Sequence, residues 1–222
     1  YTPAGLIEAT AHWDGKKVQR VEVDMPVSFV EHLDHPLEVL GLGTINVDVA
    51  FGGCYFAMVR AEDLGFSITP DEARDLVELG PRINAAAQEQ IKVQHPEIES
   101  INHVEYPMFI AGHGKDIRNA TIIYPGRIDR SPCGTGTSAR LAVMLERGEI
   151  TLDDQVSSKS MIDGEFLASI KKKTTCGART AIVPKISGRA WIYGKFTLGV
   201  DPDDPFPLGY TLGDTWGAQK PR

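Results

Sequence analysis

Apolar and polar residues alternate from Leu6 to Trp13 and again from Lys17 to Val23. Asp14-Gly15 between them has the composition of a hairpin turn, so the chain is expected to open on a strand pair. Pro26 and Pro36 bracket a connection, Thr44 to Val49 alternates once more, and an apolar run from Cys54 to Val59 follows Phe51-Gly52-Gly53. Short turns and a period close to two predict antiparallel, half-buried strands. The pattern changes at Thr69-Pro70-Asp71-Glu72, where an N-cap residue, a proline at the first position and a glutamate at the third make a capping box. Ala73, Leu76, Val77, Ile83, Ala86 and Ala87 then recur at helical spacing. They predict a helix to Ile91 that Gly80-Pro81 kinks or splits.

Strands are expected again over Ile101 to Ile110 and Ala120 to Tyr124, followed by a second helix from Gly134 to Leu145 with Gly148 as its C′ residue. From Ala139 to Leu145 this helix is apolar on nearly every side except at Arg140, the pattern of a helix buried at the centre of a domain. Strands dominate from Gln155 to Leu198, with Lys171-Lys172-Lys173 at a solvated hairpin tip, and the acidic, Pro-rich stretch from Asp201 to Pro205 reads as a connection. The predicted class is α+β, an antiparallel sheet curled around one central helix with a second helix outside.

Composition narrows the function classes. The 222 residues are 42% hydrophobic and 24% charged, ordinary values for a soluble globular protein. A net charge of -7 argues against nucleic acid or an anionic membrane as partner, because both attract basic surfaces. No apolar run approaches the length of a membrane span. The first residues show neither a basic nor an apolar signal region and no initiator Met; the chain is therefore read as starting inside a longer, cytoplasmic protein. Cys54, Cys133 and Cys176 are odd in number, widely spaced and free of any CxxC, which suits neither a disulfide framework nor a zinc site. His32-Leu33-Asp34-His35 suggests a metal cluster, but Pro36 follows at once, and a polar connection between strands accounts for it better.

The segment richest in chemistry is Asp129-Arg130-Ser131-Pro132-Cys133-Gly134-Thr135-Gly136-Thr137-Ser138-Ala139. Cys133 stands just ahead of a helix, where free backbone N–H groups and the helix dipole favour thiolate. The same N–H groups, with glycines allowing close approach, can cradle a carboxylate. Asp129 can receive an ammonium group. Together they describe a site for deprotonating an amino acid at Cα. The alternative reading of the same residues is a Gly-rich turn before a buried helix, with Cys133 as a small core residue. No Lys follows the glycines at the spacing of a phosphate loop.

This segment resembles the second cysteine motif of the proline racemase family, which includes 4-hydroxyproline 2-epimerases and trans-3-hydroxyproline dehydratases. Thr2-Pro3-Ala4-Gly5, Phe51-Gly52-Gly53, Ser187-Gly188-Arg189-Ala190-Trp191 and the stretch from Asp201 to Pro207 fall in family order, as the C-terminal two thirds of a member would have them. The resemblance implies the diaminopimelate-epimerase-like fold: two pseudo-symmetric halves, each a sheet wrapped around a helix, with the active site between them. Residues 1–48 would be remaining strands of the first half and the crossover, 49–200 the second half, and 201–222 a return segment. The first half, with its Met-Cys-Gly-His type motif, would be largely missing, and neither Cys54 nor Cys176 replaces that cysteine. Tyr55 and Phe56 would be core residues close to the substrate ring.

By the same resemblance Cys133 would be one of two acid/base residues, the amides of Gly134 and Thr135 would hold the substrate carboxylate, and Asp129 would hold the ring nitrogen. His103 falls where hydroxyproline epimerases have a histidine that can meet the substrate hydroxyl, whereas proline racemases tend to have a cysteine; read without the family it is a surface histidine beside a strand. Family dehydratases typically carry threonine in place of Cys133. These positions imply epimerisation of trans-4-hydroxy-L-proline to cis-4-hydroxy-D-proline, ahead of proline racemisation or 3-hydroxyproline dehydration, with an inactive half-site as the non-enzyme alternative. Two-base proton transfer needs no cofactor or metal. The expected partner is a small imino acid, and a homodimer is compatible with the pattern.

Overall fold

In the computed structural model, residues 7–209 are described; Thr2-Pro3-Ala4-Gly5, Leu6 and the last part of the return segment lie outside them. The chain divides into two compact units, Tyr1–Arg189 and Ala190–Arg222. In the first, eleven strands and two helices follow in the order β1 (Glu8–Trp13), β2 (Val18–Asp24), β3 (Phe29–Val39), β4 (Gly43–Phe51), β5 (Tyr55–Arg60), α1 (Ala73–Gln90), β6 (Val104–His113), β7 (Asp116–Ile123), β8 (Arg127–Ile128), α2 (Gly134–Glu146), β9 (Gln155–Lys159), β10 (Glu165–Cys176) and β11 (Arg179–Gly188).

The sheet order is β1-β2-β11-β10-β9-β7-β6-β5-β4-β3, with β8 paired to β7. Backbone bonds between Ser28 and Ile182, both 2.8 Å, carry the sheet back on itself, so that the strands nearly close a ring. Helix α2 lies inside that ring and touches β3, β4, β5, β7, β10 and β11. Every residue from Gly136 to Met144 is buried, Arg140 included, as a helix without a polar face requires. Helix α1 packs outside, on β3, β6, β7 and β8. This is the α+β arrangement expected from the sequence, with a difference in strand direction. The junctions β5–β6 and β7–β9 are parallel. They fall where α1 and α2 intervene, because parallel neighbours need a crossover and the helices supply it.

Three local expectations are corrected. Pro36 lies within β3, paired with Asn46, instead of bracketing a connection. It is tolerated because β3 ends the sheet order and its missing N–H disrupts no second ladder. Helix α1 continues through Pro81 as one helix and is not split there. Gly80 before it has no Cβ to meet the proline ring, and a Cβ there would stand 2.6 Å from Ile122, so the glycine also brings α1 close to β7. Lys171-Lys172-Lys173 lies inside β10 and not at a hairpin tip. Lys171 is the extra residue of a bulge beside Pro184, which lacks the N–H for a regular ladder.

In the second unit, residues 190–209 carry no helix or strand, so the strands expected as far as Leu198 stop at Gly188. The Asp201–Asp204 segment is a turn, closed by Asp204 N–H on the Asp201 carbonyl at 3.1 Å.

Candidate active site

Helix α2 begins at the residues singled out in the sequence. Cys133 is its N-cap, buried, with φ 63 and ψ 105. Its Sγ accepts the Gly136 N–H at 3.3 Å and lies 3.6 Å from Thr135 Oγ1. The Cys133 N–H donates to Ser131 Oγ at 3.1 Å, and its carbonyl accepts the Thr137 N–H at 2.8 Å. Gly134 and Thr135 supply the first two amides of α2, which by helix geometry have no intrahelical acceptor and are only half-covered. Gly136 and Thr137 have already committed theirs to Cys133, so the pair left over is the one the sequence pointed to.

Asp129 follows β8, its N–H bonded to the Thr121 carbonyl at 3.0 Å. Its Oδ1 accepts the Ser131 N–H at 2.8 Å, which shapes the turn into Cys133 and leaves Oδ2 for another donor. It borders an apolar hollow of about 280 Å³ shared with Val77, Ile128 and Met161.

Burial pushes the Cys133 thiol up from its ordinary value; the hydroxyls of Thr121 and Thr135 and the Gly136 N–H oppose the rise, and the Asp129 charge adds to it. Among the described residues the buried Thr121 hydroxyl has no hydrogen-bond partner of ordinary geometry. The helix N-terminus therefore moderates the thiol without overcoming burial.

The wall opposite α2 comes from the segment before β5. Cys54 stands in that turn, ahead of the strand instead of inside it. A Cβ on Gly52 would lie 2.1 Å from Thr135 O and 2.6 Å from Ala139 N; the backbone of this turn is pressed directly on the first turn of α2. Burial drives the Cys54 thiol well above its ordinary value, with the charges of Cys133 and Glu105 adding to it. Burial likewise raises the Tyr106 phenol, followed by Glu105, Cys54 and Cys133. Cys133, Cys54, Tyr106 and Glu105 thus form one electrostatic neighbourhood. His103 reaches it through Glu105: Nε2 meets Glu105 Oε2 at 2.6 Å and Nδ1 lies 3.4 Å from Asn102 Oδ1, with the ring itself exposed. Tyr55 and Phe56 are fully buried, Tyr55 with its hydroxyl 3.3 Å from Glu31.

Sequence reasoning missed a buried polar lattice beneath the thiol. Asn119, Thr137 and Ser158 are each 0% exposed and bond to one another and to the Pro132 carbonyl. Among the described residues Arg140 has no carboxylate in ion-pair contact; it donates instead to Asn119 Oδ1 and to the carbonyls of Arg118, Ala111 and Gly112 at 2.7–2.9 Å. A signal existed in the period of β7, where Asn119 and Thr121 share the inward face with Ile117. Cys176, by contrast, is buried against His95 in a separate cluster, Sγ to Nε2 3.8 Å. His32 and His35 stack 4.9 Å apart on β3, and among the described residues no group of His, Cys, Asp or Glu could hold a metal ion. Nor, among them, is any helix long and apolar enough to cross a membrane.

Solved structures share this fold. A hydroxyproline epimerase from Agrobacterium vitis, with bound trans-4-OH-L-proline, superposes over 97% of the chain at 38% identity and a TM-score of 0.86. A probable proline racemase from Agrobacterium radiobacter K84, with bound carbonate, does so over 97% at 36% identity and the same TM-score. The chain spans 62% and 64% of those two proteins, somewhat under two thirds of their length. A family model described as Proline racemase matches residues 1–211. With the family model and both structures matching along nearly its full length, the chain belongs to the proline racemase family.

Proposed function

We propose that the chain is the Cys133-bearing part of a 4-hydroxyproline 2-epimerase, which inverts Cα of trans-4-hydroxy-L-proline by two-base proton transfer. The observation that carries this reading is the capping geometry of Cys133 beside two uncommitted amides. A substrate carboxylate placed on the Gly134 and Thr135 N–H groups meets the positive end of α2. Its Cα then lies toward Sγ, and the ring nitrogen toward Oδ2 of Asp129. One acid/base group takes the Cα proton while a second delivers a proton to the opposite face. The negative charge formed between those steps is spread into the carboxylate, where the two amides stabilise it. The upward push of burial on the Cys133 thiol favours the delivering role, since a two-base enzyme needs one member of its pair protonated.

Neither of the other two cysteines suits the part of second proton carrier. Cys176 is shut away against His95. Cys54 caps no helix, and burial pushes its thiol well above its ordinary value, away from the role of a base. The hydroxyl selectivity is assigned to His103. Nε2 is held by Glu105 at 2.6 Å, and Nδ1, with a longer 3.4 Å contact to Asn102 Oδ1, is the ring nitrogen that a substrate hydroxyl would meet in place of that contact. A polar group left unpaired by the wrong substrate discriminates strongly. The bound hydroxyproline in the A. vitis protein supports the same substrate class.

Chiral chromatography of trans-4-hydroxy-L-proline, L-proline and trans-3-hydroxy-L-proline incubated with the protein tests the assignment. Inversion of the first in preference to the others is expected, with the preference lost in His103→Ala. Equal or better turnover of L-proline would remove the hydroxyproline assignment, and dehydration of the 3-hydroxy isomer would replace it.

A further inference from the structure

The polar lattice under the thiol has a direction. Arg140 offers only donors, so the Asn119 atom that meets its Nη1 at 2.8 Å is Oδ1, and this turns Nδ2 toward the loop before α2. Nδ2 lies 3.2 Å from the Pro132 carbonyl, 3.1 Å from Ser158 Oγ and 3.2 Å from Thr137 Oγ1. Ser158 Oγ is 3.0 Å from Thr137 Oγ1, and Thr137 Oγ1 donates to the Pro132 carbonyl at 3.1 Å. One proton arrangement satisfies all of these groups. Asn119 gives one hydrogen to Pro132 O and one to Ser158, Ser158 gives its own to Thr137, and Thr137 gives its own to Pro132 O. Both routes from Arg140 end on the carbonyl of the residue that precedes Cys133.

That peptide is a sensitive place to hold. A positive φ of 63 at a cysteine persists only where the surroundings impose it. Ser131 Oγ and the Thr137 N–H fix the Cys133 amide and carbonyl. The Pro132 carbonyl is the remaining point, and the lattice puts two donors on it. We propose that Asn119 is a positioning residue for Cys133, which, clamped by Arg140 and assisted by Thr137, holds the Pro132–Cys133 peptide so that Sγ stays on the Gly136 N–H. The proposal rests on the assignment of proton transfer to Cys133, and Asn119 itself touches no substrate.

Asn119→Asp tests it. The side chain keeps its size and its oxygen for Arg140, but it turns an acceptor where Nδ2 faced Pro132 O. Alkylation of Cys133 by iodoacetamide is followed against pH, with each cysteine resolved by peptide mass spectrometry and folding checked by circular dichroism. Asp129, Cys54 and Tyr106 are the ionisable groups whose interaction with the thiol is resolved, and all three stay in place in the variant. Loss of the Gly136 bond, together with the added carboxylate charge, is expected to move the Cys133 midpoint up by about one pH unit while Cys54 stays put, and the charge-neutral Thr137 pair separates the two causes. Turnover is expected to fall in kcat with KM held. Thr137→Val is expected to shift the midpoint in the same direction, and Thr137→Ser, which keeps the hydroxyl, to restore it. If Asn119→Asp does not fold, the Thr137 pair decides.

An unchanged Cys133 profile in a folded Asn119→Asp, or equal profiles in Thr137→Val and Thr137→Ser, overturns the proposal. A shifted profile in a protein whose wild type turns over no imino acid supports the positioning role and counts against the proton-transfer assignment instead, so the two failures stay distinct.

Discussion

Gly52→Ala is a sharp test of how the turn before β5 is seated on α2. The backbone of Gly52 is not in the left-handed region, so alanine carries no conformational penalty there, and any cost must come from contact. The added Cβ would stand 2.1 Å from Thr135 O and 2.6 Å from Ala139 N. These two atoms are acceptor and donor of one i→i+4 bond of α2. Ordinary contact begins at 3.4 Å, so helix and turn must part by more than an ångström, and neither atom is the end of a flexible side chain. Overpacking of this kind costs about 3 kcal/mol, which for a domain of this size lowers Tm by about 6–12 °C. Gly199→Ala, with nothing within 4 Å, is the control and should stay within about 0.5 kcal/mol of wild type. Differential scanning calorimetry of the two variants is the assay. A Gly52→Ala protein melting within about 2 °C of wild type would show that the turn does not bear on α2 as described.

Two further outcomes concern charge. Burial holds His95 below its ordinary value, and its Nδ1 accepts the Glu97 and Ile98 N–H groups, both at 3.1 Å. The unfolded chain therefore takes up this proton first. The stabilisation is complete above the unfolded value of about 6.5 and is lost as pH falls below it toward the lower folded value, so urea midpoints between about pH 7 and pH 5 should fall more steeply for wild type than for His95→Gln. Arg147 bridges Asp34 at 2.8 Å and the nearly buried Asp48 at 2.6 Å. Arg147→Met leaves the Asp48 charge unpaired and should cost about 3 kcal/mol in chemical denaturation, most of it recovered on adding Asp48→Asn; no recovery would place the loss in packing.

What the sequence revealed and what it hid follow from the range of the interactions. Helix α2 and the neighbourhood of Cys133 were legible because an all-round apolar helix, its N-cap and its glycines lie within a few residues of one another. Strand positions followed from period two. Strand direction did not, because the parallel junctions depend on which strands α1 and α2 bring together. Pro36 and Pro81 misled because a proline's cost depends on context: an edge position spares the first, and Gly80 eases the second. The lattice joins Asn119, Thr137, Ser158 and Pro132 across β7, α2 and β9, and no local pattern links those residues. Cys54 read as part of a strand-like apolar run because nothing in Cys54 to Val59 shows that the turn holding it rests on α2. His95 and Cys176 meet only through the folded core.

The central claim, that Cys133 moves a proton at Cα of an imino acid held by the N-terminus of α2, is tested most directly by proton NMR in D2O. The protein is incubated with trans-4-hydroxy-L-proline beside a Cys133→Ala variant. The account predicts loss of the Cα proton signal and growth of the cis-4-hydroxy-D isomer with the wild type, and no cis-4-hydroxy-D isomer with the variant. Growth of that isomer in Cys133→Ala, or a folded wild type that exchanges the Cα proton of none of the three candidate imino acids, would contradict it.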